Sequence, residues 1–257
     1  MNQGQEPQLS TTEGVKPYNA TSPKGEQIEQ MFDSIAPAYD FMNRAMTFGR
    51  HVKWRDKALR MLSEGMGKEP DRILDLATGT GDVAFALAEM FPKAEVTGCD
   101  LSAGMLDIAR KKRGEMPEAM ASRLNFGQED CMRLSYDDSS FEIATIAYGV
   151  RNFEHLREGL GEMFRVVCPG GRIMILELSV PTNPLVKIGY KAYTSLLIPI
   201  AGKLASGDSR AYTYLPRSIR AMPPRQEMVR MLEETGFVNV RAKTLNLGVV
   251  TIYIAEK

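Results

Sequence analysis

The stretch "RILDLATGTGDVAFALAEMF", residues 72–91, decides the fold. It begins with a short apolar run, "RILDLA", which predicts a β-strand. It ends with "DVAFALAEMF", whose apolar residues have helical spacing. The loop "TGTG" lies between the two. A strand, a glycine-rich loop and a helix in this order are typical of α/β domains that bind a nucleotide-like ligand at the loop.

The same alternation continues along the chain. Short apolar runs that end in turn signals predict strands, and the segments between them have helical spacing. Ser102 is placed to cap the helix after the second strand. The later predicted strands are residues 94–100, 123–130, 141–149 and 172–179, and "CPGG", residues 168–171, stops the helix before the last of them. Strands separated by helices predict an open parallel sheet with helices on both faces.

The end of the chain departs from that rhythm. A helix is predicted over residues 225–235, with Gly236 at its C-terminus. Two β runs follow, joined by a short turn at residues 246–248, so they must be antiparallel. A dinucleotide-binding domain would add a sixth parallel strand instead. We therefore predict a seven-stranded, mostly parallel, Rossmann-like sheet that ends in an antiparallel hairpin.

The length of 257 residues suits one large domain with additions. Residues 1–25 are rich in Gln, Gly, Pro, Ser and Thr, which predicts a disordered N-terminal arm without a signal peptide. Residues 26–257 form the predicted domain. Two pieces lie outside the basic sheet: a helical lid over residues 28–55 and a helical insertion after strand five over residues 184–222.

Composition excludes several function classes. Lys and Arg (32 in total) balance Asp and Glu (32), and no basic cluster predicts nucleic acid as a partner. The cysteines Cys99, Cys131 and Cys168 have neither a disulfide framework nor metal-ligand spacing. No stretch reaches the roughly 20 apolar residues that span a bilayer. We expect a cytoplasmic protein without a metal.

The glycine loop indicates the ligand. Gly79, Gly81 and Ala84 satisfy the pattern G-x-G-x-x-G/A, and Asp100 lies 19 residues beyond Gly81, at the end of strand two. An acid there binds ribose hydroxyls in an NAD site or in an S-adenosylmethionine site. A tight turn without any ligand is the alternative.

Charge separates the two ligands. A helix N-terminus favours the pyrophosphate of NAD, but Asp82 in the first turn and Asp75 upstream would repel it. Both would suit the sulfonium and ammonium groups of S-adenosylmethionine, although Asp82 would equally cap the helix. Asp130, with Cys131 beside it, is placed to meet the adenine amino group, or is a solvated loop acid. Together these residues favour a methyltransferase.

Four longer segments carry a specific resemblance. They are "FDSIAPAYDFMNRAMTFGRHVKWR" (32–55), "ILDLATGTGD" (73–82), "YGVRNFEHLREGLGEMFRVVCPGG" (148–171) and "NPLVKIGYKAYTSLLIPIAGKLASGDSRAYTYLPRSI" (183–219). Over residues 28–257 the chain resembles the UbiE/MenG family of ubiquinone and menaquinone biosynthesis C-methyltransferases. The resemblance implies a class I S-adenosylmethionine-dependent methyltransferase fold. It also implies methylation of a ring carbon of a polyprenylated demethylmenaquinol or a related demethylated benzoquinol. The stretch "VRNFEHLREGL" favours the menaquinone branch.

The resemblance also implies contacts to the co-substrate S-adenosylmethionine. They map onto Thr80, Asp100, Asp130 and Cys131, and a further position that is often Ser in the family is Ala147 here. With the loop residues, the predicted cofactor-binding set is Asp75, Gly79, Thr80, Gly81, Asp100, Asp130, Cys131 and Ala147.

Candidate catalytic residues follow strand four, because ligands bind outside the carboxyl ends of parallel strands. Tyr148, Arg151 and Asn152 are therefore expected to face the transferred methyl group. We expect Arg151 to stabilise a developing phenolate and Asn152 to orient a hydroxyl or a water. Tyr39 and His51 are candidates for the proton path, since His titrates near neutral pH. A structural lid histidine is the alternative for His51.

The lid and the insertion are expected to form the substrate pocket. The apolar lid residues suit a deformable wall for a lipid quinol; they are Met31, Phe32, Phe41, Met42, Met46 and Phe48. Tyr39, Asp40, Asn43 and His51 would contact its head group. Residues 186–204 resemble an amphipathic helix that holds a prenyl tail or touches the inner face of a membrane transiently, with a plain core helix as the alternative. A homodimer is left open.

Two other function classes remain. An NAD-dependent oxidoreductase would have to tolerate Asp82 beside a pyrophosphate. A non-catalytic S-adenosylmethionine-binding subunit would keep the glycine loop but would not need "YGVRN", residues 148–152, or the lid.

Overall fold

The computed structural model describes residues 12–18, 21–192 and 209–257. In that part of the chain, seven strands form one sheet. They are β1 (Arg72–Leu76), β2 (Glu95–Asp100), β3 (Leu124–Gln128), β4 (Phe141–Ala147), β5 (Val167–Leu178), β6 (Val238–Leu245) and β7 (Val250–Glu256). Their order across the sheet is β3-β2-β1-β4-β5-β7-β6.

The pairing directions confirm the predicted architecture. The pairs β2–β3, β1–β2, β1–β4 and β4–β5 are parallel, whereas β7 is antiparallel to both β5 and β6. Chain order reverses at β1, with β2 on one side and β4 on the other. Loops after these strands diverge at such a point and open a crevice at the carboxyl edge of the sheet.

Helices cover both faces and the crevice. They are α1 (Lys24–Ile35), α2 (Tyr39–Thr47), α3 (Arg50–Ser63), α4 (Asp82–Met90), α5 (Ala103–Gly114), α6 (Glu118–Ala121), α7 (Leu156–Val166), α8 (Pro184–Ala192), α9 (Ser209–Ala221) and α10 (Arg225–Thr235). The predicted cap is confirmed, since the Ser102 hydroxyl accepts a hydrogen bond from the Met105 N–H at 3.1 Å. No helix of the described ranges is long and apolar enough to cross a bilayer.

The core has one part on each face of the sheet, because successive side chains of a strand point to opposite faces. Leu74 and Leu76 of β1 pack with α7 and α10 on one face of the sheet. Ile73, between them, packs on the other face with α3 and α4. A third cluster joins α1, α2 and α9 through Met31, Met42 and Tyr214. The N-terminal helices are therefore attached to the helix that follows the insertion.

Strand β5 begins earlier than predicted. It starts at Val167, so "CPGG" belongs to the strand, and its register against β4 shifts between Phe141 and Ile143. Glycine permits this irregularity because Gly170 has a φ of 78°. A Cβ on Gly171 would lie 2.7 Å from the Glu142 carbonyl oxygen.

The N-terminal arm differs from its prediction where it is described. The predicted range 1–25 includes residues 1–11, 19 and 20, which lie outside the described residues. Thr12 and Lys24 are buried, and the Lys24 ammonium donates to the Thr12 carbonyl at 2.9 Å. It also donates to the Phe153 carbonyl at 2.8 Å. A polar segment is ordered here because its contacts are hydrogen bonds, which composition does not reveal.

The insertion of residues 184–222 contains α8 and α9 at its two ends. Residues 193–208 lie outside the described residues, and most of the predicted tail-binding stretch 186–204 falls there.

Candidate active site

The glycine loop needs left-handed backbone at three positions. Ala77, Gly79 and Gly81 have φ values of 47°, 56° and 87°. A Cβ on Gly81 would lie 2.7 Å from the Phe85 ring, so only glycine fits there. Ala77 carries a cost of roughly 1–2 kcal/mol for its conformation. The loop is therefore held in one shape at the edge of the sheet.

Asp100 supports that shape. Its Oδ2 accepts from the Gly79 N–H at 2.8 Å, and its Oδ1 accepts from the Ser102 N–H at 2.9 Å. Burial raises the pKa of the Asp100 carboxyl, and these backbone N–H groups oppose that effect. Each carboxylate oxygen keeps a further lone pair. Asp100 can therefore accept hydrogen bonds from a bound diol.

A first cavity, the cofactor cavity, lies above the loop. Of the predicted cofactor residues it is lined by Gly79, Asp100, Asp130, Cys131 and Ala147. Tyr39 and Phe32 of the N-terminal helices cover it, and Tyr148 and Asn152 complete its wall. Asp75, Thr80 and Gly81 are not part of this wall.

Asp75 lies beneath the loop. Its carboxylate accepts hydrogen bonds from the Thr78 and Thr145 hydroxyls, both at 2.6 Å. Burial raises the pKa of Asp75 to about 7. The residue therefore fixes the loop to β4, and its charge is not presented to a ligand.

Thr80 contacts helix α2, and both Thr80 and Asp82 accept hydrogen bonds from Lys112. The Thr80 hydroxyl donates to Asp40 of α2 at 2.6 Å. Lys112 of α5 lies 2.7 Å from Asp40 and 2.9 Å from Asp82. Asp82 is therefore paired with a cation, but Lys112 carries one positive charge against the two carboxylates of Asp40 and Asp82. Asp40, expected at the substrate head group, instead joins α2 to the glycine loop.

A second cavity, the substrate cavity, lies between the N-terminal helices, α9 and the end of β4. It is lined mainly by Met31, Phe32, Ile35, Tyr39, Met42, Asn43, Met46, Thr47, His51, Trp54, Tyr148, Arg151, Tyr190, Tyr214, Leu215 and Ile219. Phe32, Tyr39 and Tyr148 also line the cofactor cavity, so the two cavities meet at these rings.

Two residues of the predicted apolar wall are elsewhere. Phe41 and Phe48 are 69% and 81% exposed and do not line the substrate cavity. Met42 and Met46 occupy the inner side of α2, and helical periodicity places Phe41 on the outer side.

Arg151 forms a buried ion pair that the sequence did not reveal. Its guanidinium lies 2.9 Å from Oε1 of Glu177 in β5 and also donates to the Tyr148 carbonyl. The Nε of Arg151 is buried without a hydrogen-bond partner among the described residues. The charge of Arg151 is therefore balanced, and its Nε–H is left without an acceptor in the described part of the chain. The sequence held one signal for this pair, since Glu177 is an acidic residue inside the apolar run of strand five.

Asn152 faces a different cavity from Arg151. It lines the cofactor cavity only, and its Oδ1 accepts from the Tyr214 hydroxyl at 3.2 Å. Arg151 and Asn152, both expected to face the transferred methyl group, therefore line different cavities. The turn at residues 150–152 is 3₁₀-helical, so consecutive side chains point in different directions.

The remaining polar groups are neutral near pH 7. Burial raises the pKa of the Tyr39 and Tyr148 hydroxyls. The Tyr148 hydroxyl has no hydrogen-bond partner among the described residues. Burial lowers the pKa of His51, whose Nδ1 lies 2.7 Å from the Thr47 hydroxyl. His51 is thus an uncharged imidazole that can accept a proton. The described ranges contain no metal-binding group of three or more His, Cys, Asp or Glu.

The cofactor cavity fits S-adenosylmethionine. Asp100 offers carboxylate lone pairs to ribose hydroxyls, and Asp130 is a second acid in the cavity wall. Space is open above Gly79, where an added Cβ would contact only Tyr39, at 3.9 Å. The sheet order with its antiparallel end and this loop define a class I S-adenosylmethionine-dependent methyltransferase.

Comparison with known proteins specifies the family. Residues 20–257 match the ubiE/COQ5 methyltransferase family, and the chain belongs to it. It is 40% identical over 245 residues to a Bacteroides fragilis protein named demethylmenaquinone methyltransferase, covering 95% of this chain and 98% of that one. It is 42% identical over 232 residues to a Syntrophotalea carbinolica protein named ubiquinone/menaquinone biosynthesis C-methyltransferase UbiE, covering 89% and 93%.

A solved structure supports the fold alone. It is the Haemonchus contortus phosphoethanolamine N-methyltransferase 2 in complex with phosphomonomethylethanolamine and S-adenosylhomocysteine. The TM-score is 0.60 at 17% identity, and the match covers 80% of this chain and 52% of that longer chain.

Proposed function

We propose that this methyltransferase transfers a methyl group to a ring carbon of a polyprenylated demethylmenaquinol. The name of the Bacteroides fragilis relative supports the naphthoquinol branch. A demethylated benzoquinol is the second candidate, because the Syntrophotalea carbinolica relative is named for both quinones.

The substrate cavity carries the proposal. Methionine and aromatic side chains form most of its wall, which suits a flat, apolar ring. Arg151 and His51 supply polar groups that suit one hydroxyl of a quinol, and Tyr39 supplies one that suits the other. The cavity meets the cofactor cavity at Tyr39 and Tyr148, so a bound ring would lie beside the methyl donor.

The chain's own residues provide binding and orientation. Bound S-adenosylmethionine would supply an electrophilic sulfonium methyl group. Asp100 would hold its ribose, Asp130 and Cys131 its adenine, and Gly79 and Ala147 leave room for it. Positioning two reactants in this way contributes roughly 7–11 kcal/mol to the lowering of a barrier.

Proton transfer is the other requirement. Ring methylation would form one carbon–carbon bond and break the sulfur–methyl bond of S-adenosylmethionine. S-adenosylhomocysteine would leave, and the ring hydrogen would be released as a proton. His51 is neutral and would accept the phenolic proton that makes the ring nucleophilic. Arg151, balanced by Glu177, would donate Nε–H to the developing phenolate oxygen rather than supply an unbalanced charge. Tyr39, protonated, would donate to the second hydroxyl.

Organisation and location complete the proposal. The helices of residues 28–55 would act as a lid, and the insertion of residues 184–222 would receive the prenyl tail. The protein would work in the cytoplasm and contact the inner face of the membrane transiently, without nucleic acid. A homodimer would be compatible with this arrangement.

The test is a comparison of two substrates. Purified protein, S-adenosylmethionine and either demethylated naphthoquinol or demethylated benzoquinol, with equal tails, are incubated under reducing conditions. We expect the naphthoquinol to be methylated faster. Methylation of the benzoquinol alone would move the protein to the other branch, and methylation of neither would refute a quinol substrate.

A further inference from the structure

Helix α2 is apolar on two opposite sides. Met42 and Met46 line the substrate cavity, whereas Phe41 and Phe48 are exposed and lie seven residues apart, two helical turns along one side. Phe48 ends the helix with a φ of 52°, where Gly or Asn is usual. These two phenylalanines line neither cavity, and a helix that is apolar on both sides is expected to make contacts on both.

Three cations lie close to these phenylalanines in the chain. Arg44, Arg50 and Lys53 are exposed. Within the described ranges none of these three cations forms a salt bridge. We call Phe41, Arg44, Phe48, Arg50 and Lys53 the lid surface. It combines exposed apolar rings with unbalanced positive charge.

Helix α8 also has exposed apolar residues beside an exposed cation. Its Tyr190 lines the substrate cavity, and its Leu185 and Ile188 are 81% and 70% exposed, with the exposed Lys187 between them. Both helices that wall the cavity at this side therefore present apolar residues and cations outward.

We propose that the lid surface docks on an anionic lipid bilayer, with Phe41 and Phe48 inserted among the acyl chains. Apolar side chains at the interface and cations at anionic headgroups are the two contributions to such binding. A second copy of the chain is a poorer occupant, because an isologous contact would bring the same unbalanced cations together. The inference rests on the proposed function in one respect: a polyprenylated substrate resides in the bilayer that this surface would contact.

Vesicle sedimentation tests the docking. The wild-type protein is mixed with vesicles of phosphatidylcholine alone or with one part phosphatidylglycerol to three parts phosphatidylcholine. We expect binding to the anionic vesicles and its loss at high salt. The double variant F41S/F48S should bind at least about tenfold more weakly. Each of R44Q, R50Q and K53Q should weaken binding to the anionic vesicles roughly fivefold.

The matched control is V238S, which removes an apolar residue that is 54% exposed at the start of β6. It should bind as the wild type does. Equal vesicle binding by F41S/F48S and wild type would overturn the proposal, and so would equal binding to neutral and anionic vesicles. Concentration-dependent dimerisation abolished by F41S/F48S, without vesicle binding, would assign the surface to a second copy and overturn it too.

Turnover separates this proposal from the proposed function. Methylation of a short-tailed, water-soluble quinol should be unchanged in F41S/F48S. Vesicle binding as expected with no methylation of either quinol would refute the substrate and leave the surface standing. Methylation of a quinol with no vesicle binding would support the proposed substrate and overturn the proposed docking surface.

Discussion

Glu177 of β5 and Arg151, in the turn that follows β4, form a buried ion pair beside the substrate cavity. The Glu177 carboxylate accepts from the Arg151 guanidinium at 2.9 Å, from the Arg151 N–H at 3.3 Å and from the Leu178 N–H at 2.7 Å. Both side chains are almost fully enclosed. The pair therefore fixes where the Nε of Arg151 points.

Glu177→Gln should destabilise the protein by about 3–5 kcal/mol, because it leaves the Arg151 charge unpaired in the interior. The amide NH2 of Gln would also face an N–H donor where a Glu177 oxygen now accepts a hydrogen bond. Denaturant unfolding measures the loss. The double variant R151M/E177L should regain much of the stability but none of the turnover. Unchanged stability in Glu177→Gln would mean that the pair is not buried in solution.

Asp100→Ala should weaken S-adenosylmethionine binding at least tenfold, about 1.4 kcal/mol, since charge-assisted hydrogen bonds to the ribose are lost. Titration calorimetry measures the affinity. Asp82→Ala is the matched control, because Asp82 is paired with Lys112 and lies outside the cavity wall. Equal affinities in folded Asp100→Ala and wild type would remove Asp100 from the site.

Lys112→Met should loosen the lid, because Asp40 would lose its cation. Hydrogen exchange of residues 39–47 should become faster, while global stability changes by less than about 1 kcal/mol, as expected for a partly exposed pair. Arg110→Met is a suitable control, since Arg110 pairs with Asp107 on the same helix. Identical exchange in Lys112→Met and wild type would show that Lys112 does not hold α2.

The pH dependence of kcat/KM should report His51. Its pKa is lowered by burial, so the imidazole stays neutral as the pH falls through 6.5, and activity is lost only below that value. His51→Gln should lower the rate and abolish this acid limb. An acid limb at or above pH 6.5, or one that persists in His51→Gln, would assign the base to another group.

The parts of the fold that could be predicted are those set by local pattern. Periodicity placed the strands and helices, the turn at residues 246–248 gave the antiparallel end, and Ser102 was placed as a cap. The contacts that could not be predicted join residues far apart in the chain. Lys112 of another helix pairs with both Asp40 and Asp82, and Glu177 of a neighbouring strand pairs with Arg151.

For the site, the same distinction decides which of the predicted residues line the cofactor cavity. Asp100 and Gly79 line the cofactor cavity because each ends or follows a strand, which is a local property. Asp75 and Thr80 have suitable chemistry and sequence positions, but their side chains hydrogen-bond to Thr145 and Asp40. Side-chain direction depends on these tertiary partners.

The most direct test of a ring-methylating quinol enzyme uses S-adenosylmethionine with an isotopically labelled methyl group. Purified protein is given a demethylated naphthoquinone in either its reduced or its oxidised form, and the product is analysed by mass spectrometry. We predict that the label appears on a ring carbon of the reduced form only, because the oxidised ring is electron-poor and has no phenolic proton to lose. Labelling of the oxidised form, or label on oxygen instead of carbon, would contradict the account.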